Sequence, residues 1–171
     1  MTEARPLDPA LRAAWEATEY RFAAGEQVHT LRIGHSHADV DAWLAAQGAQ
    51  AGAFLSNANP RGERLDERAN ARRTAALQRW LLKQGLAHWP GLGVPPAGSD
   101  WEAEPSFFVP GLDLERATGI ARYCEQLGFV WHQVGQRSEL RVVPAPVEPG
   151  PVQAGLPTGA GAEKPRSPPD A

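Results

Sequence analysis

The stretch Phe54-Leu55-Ser56-Asn57-Ala58-Asn59-Pro60 constrains the fold more than any other part of the chain. Its apolar first half predicts a buried strand over residues 52–56, and its asparagines and proline predict a turn directly afterwards. Residues 65–84 carry apolar side chains at helical spacing and are followed by Gly85, so they predict a long helix. A strand, a polar turn and a helix in this order favour an α/β or α+β fold.

The same patterns predict a layered domain on both sides of this unit. Asp8 and Pro9 predict a capped helix start, Ser36 and Asp39 predict a capping box, and Asp113 is placed to cap a last helix. The expected fold is a single domain with a mixed sheet of about five to seven short strands and three to four helices. Helices are predicted over residues 9–16, 37–47, 65–84 and 114–127, strands over 20–23, 28–33, 52–56, 106–109, 129–134 and 140–143, and mostly loop over 88–100.

The chain has 171 residues, which is enough for one domain with a core. We expect the globular domain over residues 1–143 and a disordered tail over residues 144–171. The tail has eight prolines, four glycines and no aromatic residue. Such a segment cannot bury enough apolar area to offset the entropy lost on ordering.

Composition excludes several classes of protein. The net charge of −3 argues against a protein that mainly binds nucleic acid, and the single cysteine, Cys124, excludes an internal disulfide. No apolar stretch is long enough to span a bilayer, and the N-terminus has no signal-peptide core. We therefore expect a cytoplasmic protein without a cofactor, and the many Ala, Arg, Gly and Pro residues fit a bacterial genome rich in G and C.

Two polar residues lie on the apolar side of the long predicted helix. On a helical wheel, Asn70 and Arg73 fall inside the apolar arc and are neighbours on the helix surface. A buried polar group without a partner costs about 1–3 kcal/mol. The candidate partners are Asn57 and Asn59 in the turn and an acidic group at Glu102 or Glu104, with Glu104 the expected counter-charge for Arg73. Both a structural cluster that pins a loop and a ligand pocket fit this pattern.

These residues also carry a resemblance to a known family. The ordered motifs Phe54-x-x-Asn57-x-Asn59-Pro60, Asn70 with Arg73, and Trp101-x-x-Glu104-Pro105-Ser106-Phe107 followed by Gly111 resemble the bacterial domain of unknown function 3293, over roughly residues 20–143. The resemblance implies a small cytoplasmic bacterial domain and no particular activity. It marks Asn59, Pro60, Asn70, Glu104 and Ser106. Similar members carry a Phe-Gly-Gln-Asn-Ala-type segment after the last helix, where this chain has Glu125-Gln126-Leu127-Gly128-Phe129.

Other chemistries have weaker support in the sequence. His35 and His37 form an H-x-H pair, but a catalytic zinc usually needs three ligands, and His29, His88 and His132 lie in no ligand motif. We predict no metal. Cys124 falls on an apolar helix face and is expected to be inert, and Ser106 lacks a G-x-S-x-G elbow. Glu104 is the one candidate general acid or base.

A basic stripe runs along the long predicted helix, with acidic residues near its start. We interpret it as a solvated face and nucleic acid as an unlikely partner. The two tryptophans that flank the Pro/Gly-rich loop, Trp89 and Trp101, are candidates for ligand or partner contact. The stripe consists of Arg64, Arg68, Arg72, Arg79 and Lys83.

Three functional hypotheses follow. The first is a non-enzymatic or regulatory module that recognises a small polar ligand or a protein partner. The second is a hydrolase or transferase with Glu104 as acid or base, and the third is a weak nucleic-acid binder through the basic stripe. The candidate site residues are Asn57, Asn59, Asn70, Arg73, Trp101, Glu104 and Ser106.

Overall fold

A computed structural model of the protein describes residues 6–145, which form a seven-stranded sheet and four α-helices. The fold is α+β, and the predicted numbers of strands and helices are confirmed. Residues 146–171, and with them nearly all of the predicted tail, lie outside the described residues. The elements are α1 (Pro9–Glu16), β1 (Glu19–Ala24), β2 (Gln27–Leu31), α2 (Ala38–Ala46), β3 (Ala51–Leu55), a short 3-10 turn (Pro60–Gly62), α3 (Glu67–Lys83), β4 (Trp89–Val94), β5 (Glu104–Pro110), α4 (Leu114–Tyr123), β6 (Gly128–Gln133) and β7 (Glu139–Val142).

The strands lie in the order β2-β1-β4-β5-β3-β6-β7. The prediction of a mixed sheet is wrong, because every pair of neighbouring strands is antiparallel. The strands β5 and β6 are joined through α4 and run in the same direction. However, β3 lies between them and is antiparallel to both, so the two parallel strands never become neighbours.

Each face of the sheet has its own hydrophobic core. Alternate residues of a strand point to opposite faces, so in β3 Ala53 and Leu55 face the helices α3 and α4 while Phe54 faces the other side. The α3 side is closed by Leu77 and Leu81 of that helix. The opposite core contains Val40 and Leu44 of α2 together with Phe22, Leu31, Phe108 and Val130.

The strand β4 lies inside the region predicted as a loop. Gly91 allows close packing, since a Cβ added there would lie 2.6 Å from the Phe54 ring and 2.7 Å from the Arg21 carbonyl oxygen. Glycine inside a strand often marks such a close approach. The Pro/Gly content therefore predicted a loop, but these residues form an internal strand. The absence of a side chain at Gly91 lets neighbouring atoms pack closely against it.

The predicted caps are present at α1 and α4 but not at α2, and α3 is capped by Asp66, where no cap was predicted. Asp8, Asp66 and Asp113 each cap the helix that follows, and Asp66 Oδ1 accepts a hydrogen bond from Ala69 N at 2.7 Å. The predicted capping box at Ser36 and Asp39 is wrong, because Asp39 Oδ2 instead contacts His29 Nδ1 at 2.8 Å. Between residues 6 and 145, no helix combines the length and apolar character that a bilayer crossing requires.

Candidate functional site

The turn after β3 is organised by Asn59, which lies in the left-handed region with φ of 45°. Its backbone N–H donates to Asn70 Oδ1 at 3.0 Å, and its side-chain oxygen accepts from Asn70 Nδ2 at 2.9 Å and from Leu65 N at 3.0 Å. Asparagine tolerates this conformation better than most residues. The predicted meeting of Asn59 with Asn70 is present, and it joins the turn to the first part of α3.

A second pair of contacts joins the same turn to the middle of α3. Arg73 Nη2 donates to Asn57 Oδ1 at 2.9 Å and to Cys124 O at 3.2 Å, and Asn57 Nδ2 donates to Arg73 O at 2.7 Å. Arg73 Nε donates to the Asn57 carbonyl oxygen. The guanidinium group therefore ties β3, α3 and the end of α4 together.

The predicted ion pair between Arg73 and Glu104 is not present. The nearest carboxylate to Arg73 is that of Glu125 at 3.7 Å. Glu104 Oε2 accepts instead from Asn59 Nδ2 at 2.9 Å. Helix α3 packs on one face of the sheet, whereas Glu104 belongs to the β5 residues that alternate onto the other face, so the sheet separates the two charges.

Glu104 is a half-buried carboxyl group whose surroundings disfavour its charge. Burial raises the pKa of the Glu104 carboxyl above its usual range, and the hydrogen bond from Asn59 acts in the opposite direction. Burial is the larger effect because a carboxylate loses more hydration than a single amide hydrogen bond restores. Burial raises the pKa of the Tyr20 hydroxyl, and the nearby Glu104 carboxylate raises it further.

Glu104 lines a cavity of about 90 Å³ on the α2 side of the sheet. Three of the predicted site residues line this cavity: Trp101, Glu104 and Ser106. The other four, Asn57, Asn59, Asn70 and Arg73, lie behind it and hydrogen bond to one another or to the backbone. The structure thus divides the predicted site into residues that face the cavity and residues that hold the turn.

Other parts of the lining come from chain segments that the sequence reasoning did not assign to the site. Trp15 of α1, Tyr20 of β1, and Phe54 and Ser56 at the end of β3 all line the cavity. Tyr20 packs edge-to-face on Phe54 with ring centroids 5.7 Å apart. Trp15 and Tyr20 are distant from the central turn in sequence, and no motif connects them to it. The alternation of β3, which puts Phe54 and Ser56 on one face, was the available signal.

Ser106 is buried in the cavity wall and is 7% exposed. Its Oγ has no hydrogen-bond partner among the described residues. Ser56 differs in this respect, since its Oγ donates to Pro105 O at 3.0 Å and accepts from Ala58 N at 3.0 Å. An unpaired buried hydroxyl is a group that a bound molecule satisfies at no further desolvation cost.

Residues 55–128 match the model of a family described as a protein of unknown function, DUF3293. This part of the chain is therefore similar to that family. No curated protein and no solved structure matches the chain. The DUF3293 segment contains the turn, α3, β4, β5 and α4, and hence all seven predicted site residues. Trp15 and Tyr20 lie before it, so the cavity is completed from outside the matched segment.

The segment after α4, where this chain departs from the pattern of similar DUF3293 members, also reaches the turn. Gln126 Nε2 donates to Ala58 O at 2.8 Å, and Gln126 lines the cavity. Glu125 adopts a positive φ of 57°, and its carbonyl oxygen accepts from Arg61 N at 2.7 Å. The side-chain amide of Gln126 therefore contacts the turn from the segment after α4.

The two tryptophans singled out from the sequence have different surroundings. Trp101 lines the cavity, and the Arg64 guanidinium lies 4.2 Å from the centre of its ring. Trp89 does not line it: its ring packs against Trp43 with centroids 4.8 Å apart, in the core beneath α2. Trp89 therefore does not line this cavity, and its contact with a ligand or partner stays a prediction.

His35 and His37, the H-x-H pair, contact nearby backbone groups of the same chain. His37 Nε2 accepts from Arg32 N at 3.0 Å, and His35 Nδ1 contacts Ile33 O at 3.2 Å. Among residues 6–145, no group of three or more His, Cys, Asp or Glu side chains is placed to hold a metal ion.

A Ser–His–Asp chain is present away from the cavity. Ser138 Oγ lies 2.9 Å from His132 Nδ1, and Asp41 Oδ1 lies 2.7 Å from His132 Nε2. Ser138 and His132 are both completely buried, with exposures of 1% and 0%. A substrate cannot reach a nucleophile in that position, so this chain of contacts links α2 to β6 and to the turn before β7.

Two further candidates from the sequence, Cys124 and the basic stripe, differ in their exposure to solvent. Cys124 is buried as predicted, and burial raises the pKa of its thiol to about 11, so the nucleophilic thiolate is scarce at neutral pH. In the basic stripe, Arg64 donates to Asp100 O at 2.8 Å and stacks on Trp101, which withdraws it from the stripe. The remaining members, Arg68, Arg72, Arg79 and Lys83, are exposed.

Proposed function

We propose that this protein is a non-enzymatic recognition or regulatory module that binds a small polar ligand in the cavity lined by Trp101, Glu104 and Ser106. The observation that carries the proposal is the unpaired Ser106 hydroxyl, which is buried in the same wall as Glu104. Both residues belong to β5 and are two positions apart, so they share one face of the strand.

The Ser106 hydroxyl and the Glu104 carboxyl both cost folding free energy when no hydrogen-bond partner from a ligand is present. An unsatisfied buried hydroxyl costs about 1–3 kcal/mol, and a buried carboxyl is held away from its ionised form. A polar ligand that hydrogen bonds to both groups removes these penalties. Ligand sites typically combine apolar walls with a few convergent polar groups. Here Trp15, Phe54 and Val130 supply the apolar walls.

The four predicted residues behind the cavity have a positioning role in this proposal. Asn59 holds Glu104 through the 2.9 Å contact, and Asn70 holds Asn59 through two further hydrogen bonds. Arg73 and Asn57 fix the start of the turn. Rigid support of this kind reduces the ordering entropy that is lost on binding.

The test uses a blocking variant and a matched control on α1. Ala14 lines the cavity, whereas its neighbour Ala13 is exposed and does not. We expect polar fragments to shift the amide NMR signals of Ser56, Glu104 and Ser106 in the wild-type protein and in Ala13→Leu. The shifts should be lost in Ala14→Leu, whose larger side chain enters the cavity. The proposal fails if no fragment shifts these signals, or if the two variants respond alike.

A buried carboxyl with a raised pKa beside a cavity also favours a second candidate, a hydrolase or transferase with Glu104 as general acid or base. This candidate predicts that a molecule bound in the cavity is chemically converted, and that conversion stops in Glu104→Gln while binding persists. Mass spectrometry of a co-purified or added ligand after incubation distinguishes it from the binding module. Recovery of the ligand unchanged contradicts the enzymatic candidate.

A further inference from the structure

We infer that the ligand is a small organic ammonium cation, held by the Glu104 carboxylate and by the aromatic rings around it. This inference rests on the proposed function and specifies its ligand. Charge is the first observation: among the described residues, those that line the cavity include two acids, Glu102 and Glu104, and no Lys, Arg or His. A carboxylate or phosphate group is repelled by these two acids, whereas a cation is attracted to both.

The aromatic side chains are the second observation. Trp15, Tyr20, Phe54 and Trp101 all line the cavity. The face of an aromatic ring attracts a cation, and clusters of such rings recognise ammonium groups. The Arg64 guanidinium lies 4.2 Å from the Trp101 ring centre, so one face of this ring already contacts a cation, and the rings of Trp15, Tyr20 and Phe54 remain for the ligand.

The third observation is the unpaired hydroxyl. Ser106 is more than nine-tenths buried and its Oγ lacks a partner, so it remains free to accept an N–H bond from a ligand. Glu104 Oε2 is held by Asn59 and the Ser56 hydroxyl is already paired. An ammonium group is a pure donor, and it therefore complements a carboxylate and a hydroxyl that both accept.

The pH dependence of binding has a definite sign. Burial raises the pKa of Glu104, and a bound cation favours the ionised carboxylate. Binding therefore releases a proton when it occurs below the raised pKa. The affinity for a cation should increase with pH as Glu104 ionises and then level off. Tyr20 also faces Glu104, and its own pKa is raised, so Tyr20 remains neutral throughout this range.

The test compares three probes that have the same carbon chain and different head groups: butylammonium, butan-1-ol and butyrate. NMR titrations that follow Ser56, Glu104 and Ser106 give the three affinities. We expect butylammonium to bind at least about tenfold more tightly than butan-1-ol, and butyrate not to bind. If butan-1-ol binds as tightly as butylammonium, the cavity binds ligands but the cation inference is wrong. If no probe binds although other polar fragments do, the cation inference alone is wrong; if nothing binds, the proposed function fails with it.

A charge-neutral variant supplies the decisive comparison. Glu104→Gln keeps the size of the side chain and can still accept from Asn59, so butylammonium affinity should fall at least about tenfold while butan-1-ol affinity is unchanged. Glu26→Gln removes the same charge from the exposed β1–β2 turn and should change neither value. Equal losses in both variants would show that only the net charge matters, and would overturn the inference.

Discussion

The side-chain amide of Asn59 donates to the carboxyl group of Glu104 across 2.9 Å, and this contact joins the turn after β3 to the first residue of β5. The two residues are 45 positions apart in the chain. Asn59 is in turn held by Asn70 of α3. A single asparagine therefore connects the helix on one side of the sheet with the cavity on the other.

Two replacements of Asn59 should separate the stability that its side-chain hydrogen bonds contribute from the cost of its left-handed backbone conformation. Asn59→Ala loses the contacts with Glu104, Asn70 and Leu65 and leaves an alanine at φ of 45°. We expect a loss of about 2–4 kcal/mol in the free energy of unfolding, measured by urea denaturation. Asn59→Gly loses the same contacts but adopts the backbone conformation freely, so it should be less destabilised by about 1 kcal/mol. Equal losses in the two variants would show that the positive φ at residue 59 does not add to the destabilisation of Asn59→Ala.

Two buried serines provide a matched pair. Ser138 is hydrogen bonded to His132, whereas the Ser106 hydroxyl is unpaired. Ser138→Ala should cost about 1–3 kcal/mol because it leaves His132 without a partner inside the core. Ser106→Ala should be neutral or slightly stabilising without a ligand, since it removes an unsatisfied group. Thermal unfolding of both variants tests this difference, and a similar loss in both would indicate that Ser106 has an internal partner.

The stability of the protein should depend on pH through Glu104. Its pKa is raised above the ordinary value of 4.5, so the folded state binds this proton more tightly than the unfolded state does. The stabilisation is fully present below pH 4.5 and decreases as the pH rises through the raised value.

Glu104→Gln removes this titration. We expect the variant to be at least as stable as the wild-type protein at pH 7 and to lose less stability between pH 4.5 and pH 7. Thermal melts across this range, with Glu26→Gln as the control, measure the effect. A wild-type protein whose stability rises over this interval relative to Glu104→Gln would contradict the assignment.

Two glycines should respond in opposite ways to alanine. A Cβ at Gly128 would lie 2.7 Å from the Trp15 ring and 2.7 Å from the Arg141 carbonyl oxygen, so Gly128→Ala must displace α1 or β7. We expect a loss of about 1–3 kcal/mol and a changed Trp fluorescence. Gly119, on the exposed side of α4, has no atom within 4 Å of the added Cβ, and Gly119→Ala should stabilise by about 1 kcal/mol through helix propensity. An unaffected Gly128→Ala would show that Trp15 does not pack closely on β6.

The sequence predicted well what local patterns encode. Asp8 and Asp113 mark helix starts because a capping carboxylate satisfies backbone N–H groups only a few residues away. The contact between Asn59 and Asn70 was also predictable. The two residues are 11 positions apart in the chain, and helical periodicity fixes the side of the helix on which Asn70 lies. Asp39 shows the limit of such reasoning. It had the spacing of a capping residue, but His29, brought close by the sheet, is its partner.

Sequence alone determined the strand–turn–helix unit around residues 54–60, the amphipathic helices and the residues of the polar turn, because these depend on periodicity and on contacts between near neighbours. Only the tertiary structure decided that the sheet is antiparallel, that Pro- and Gly-rich residues 89–94 form a central strand, and that Glu104 faces away from Arg73. It also decided that Trp15 and Tyr20 complete a cavity with Glu104 and Ser106. These features depend on strand order and on which face of the sheet each residue occupies, and both follow from how all the elements pack together.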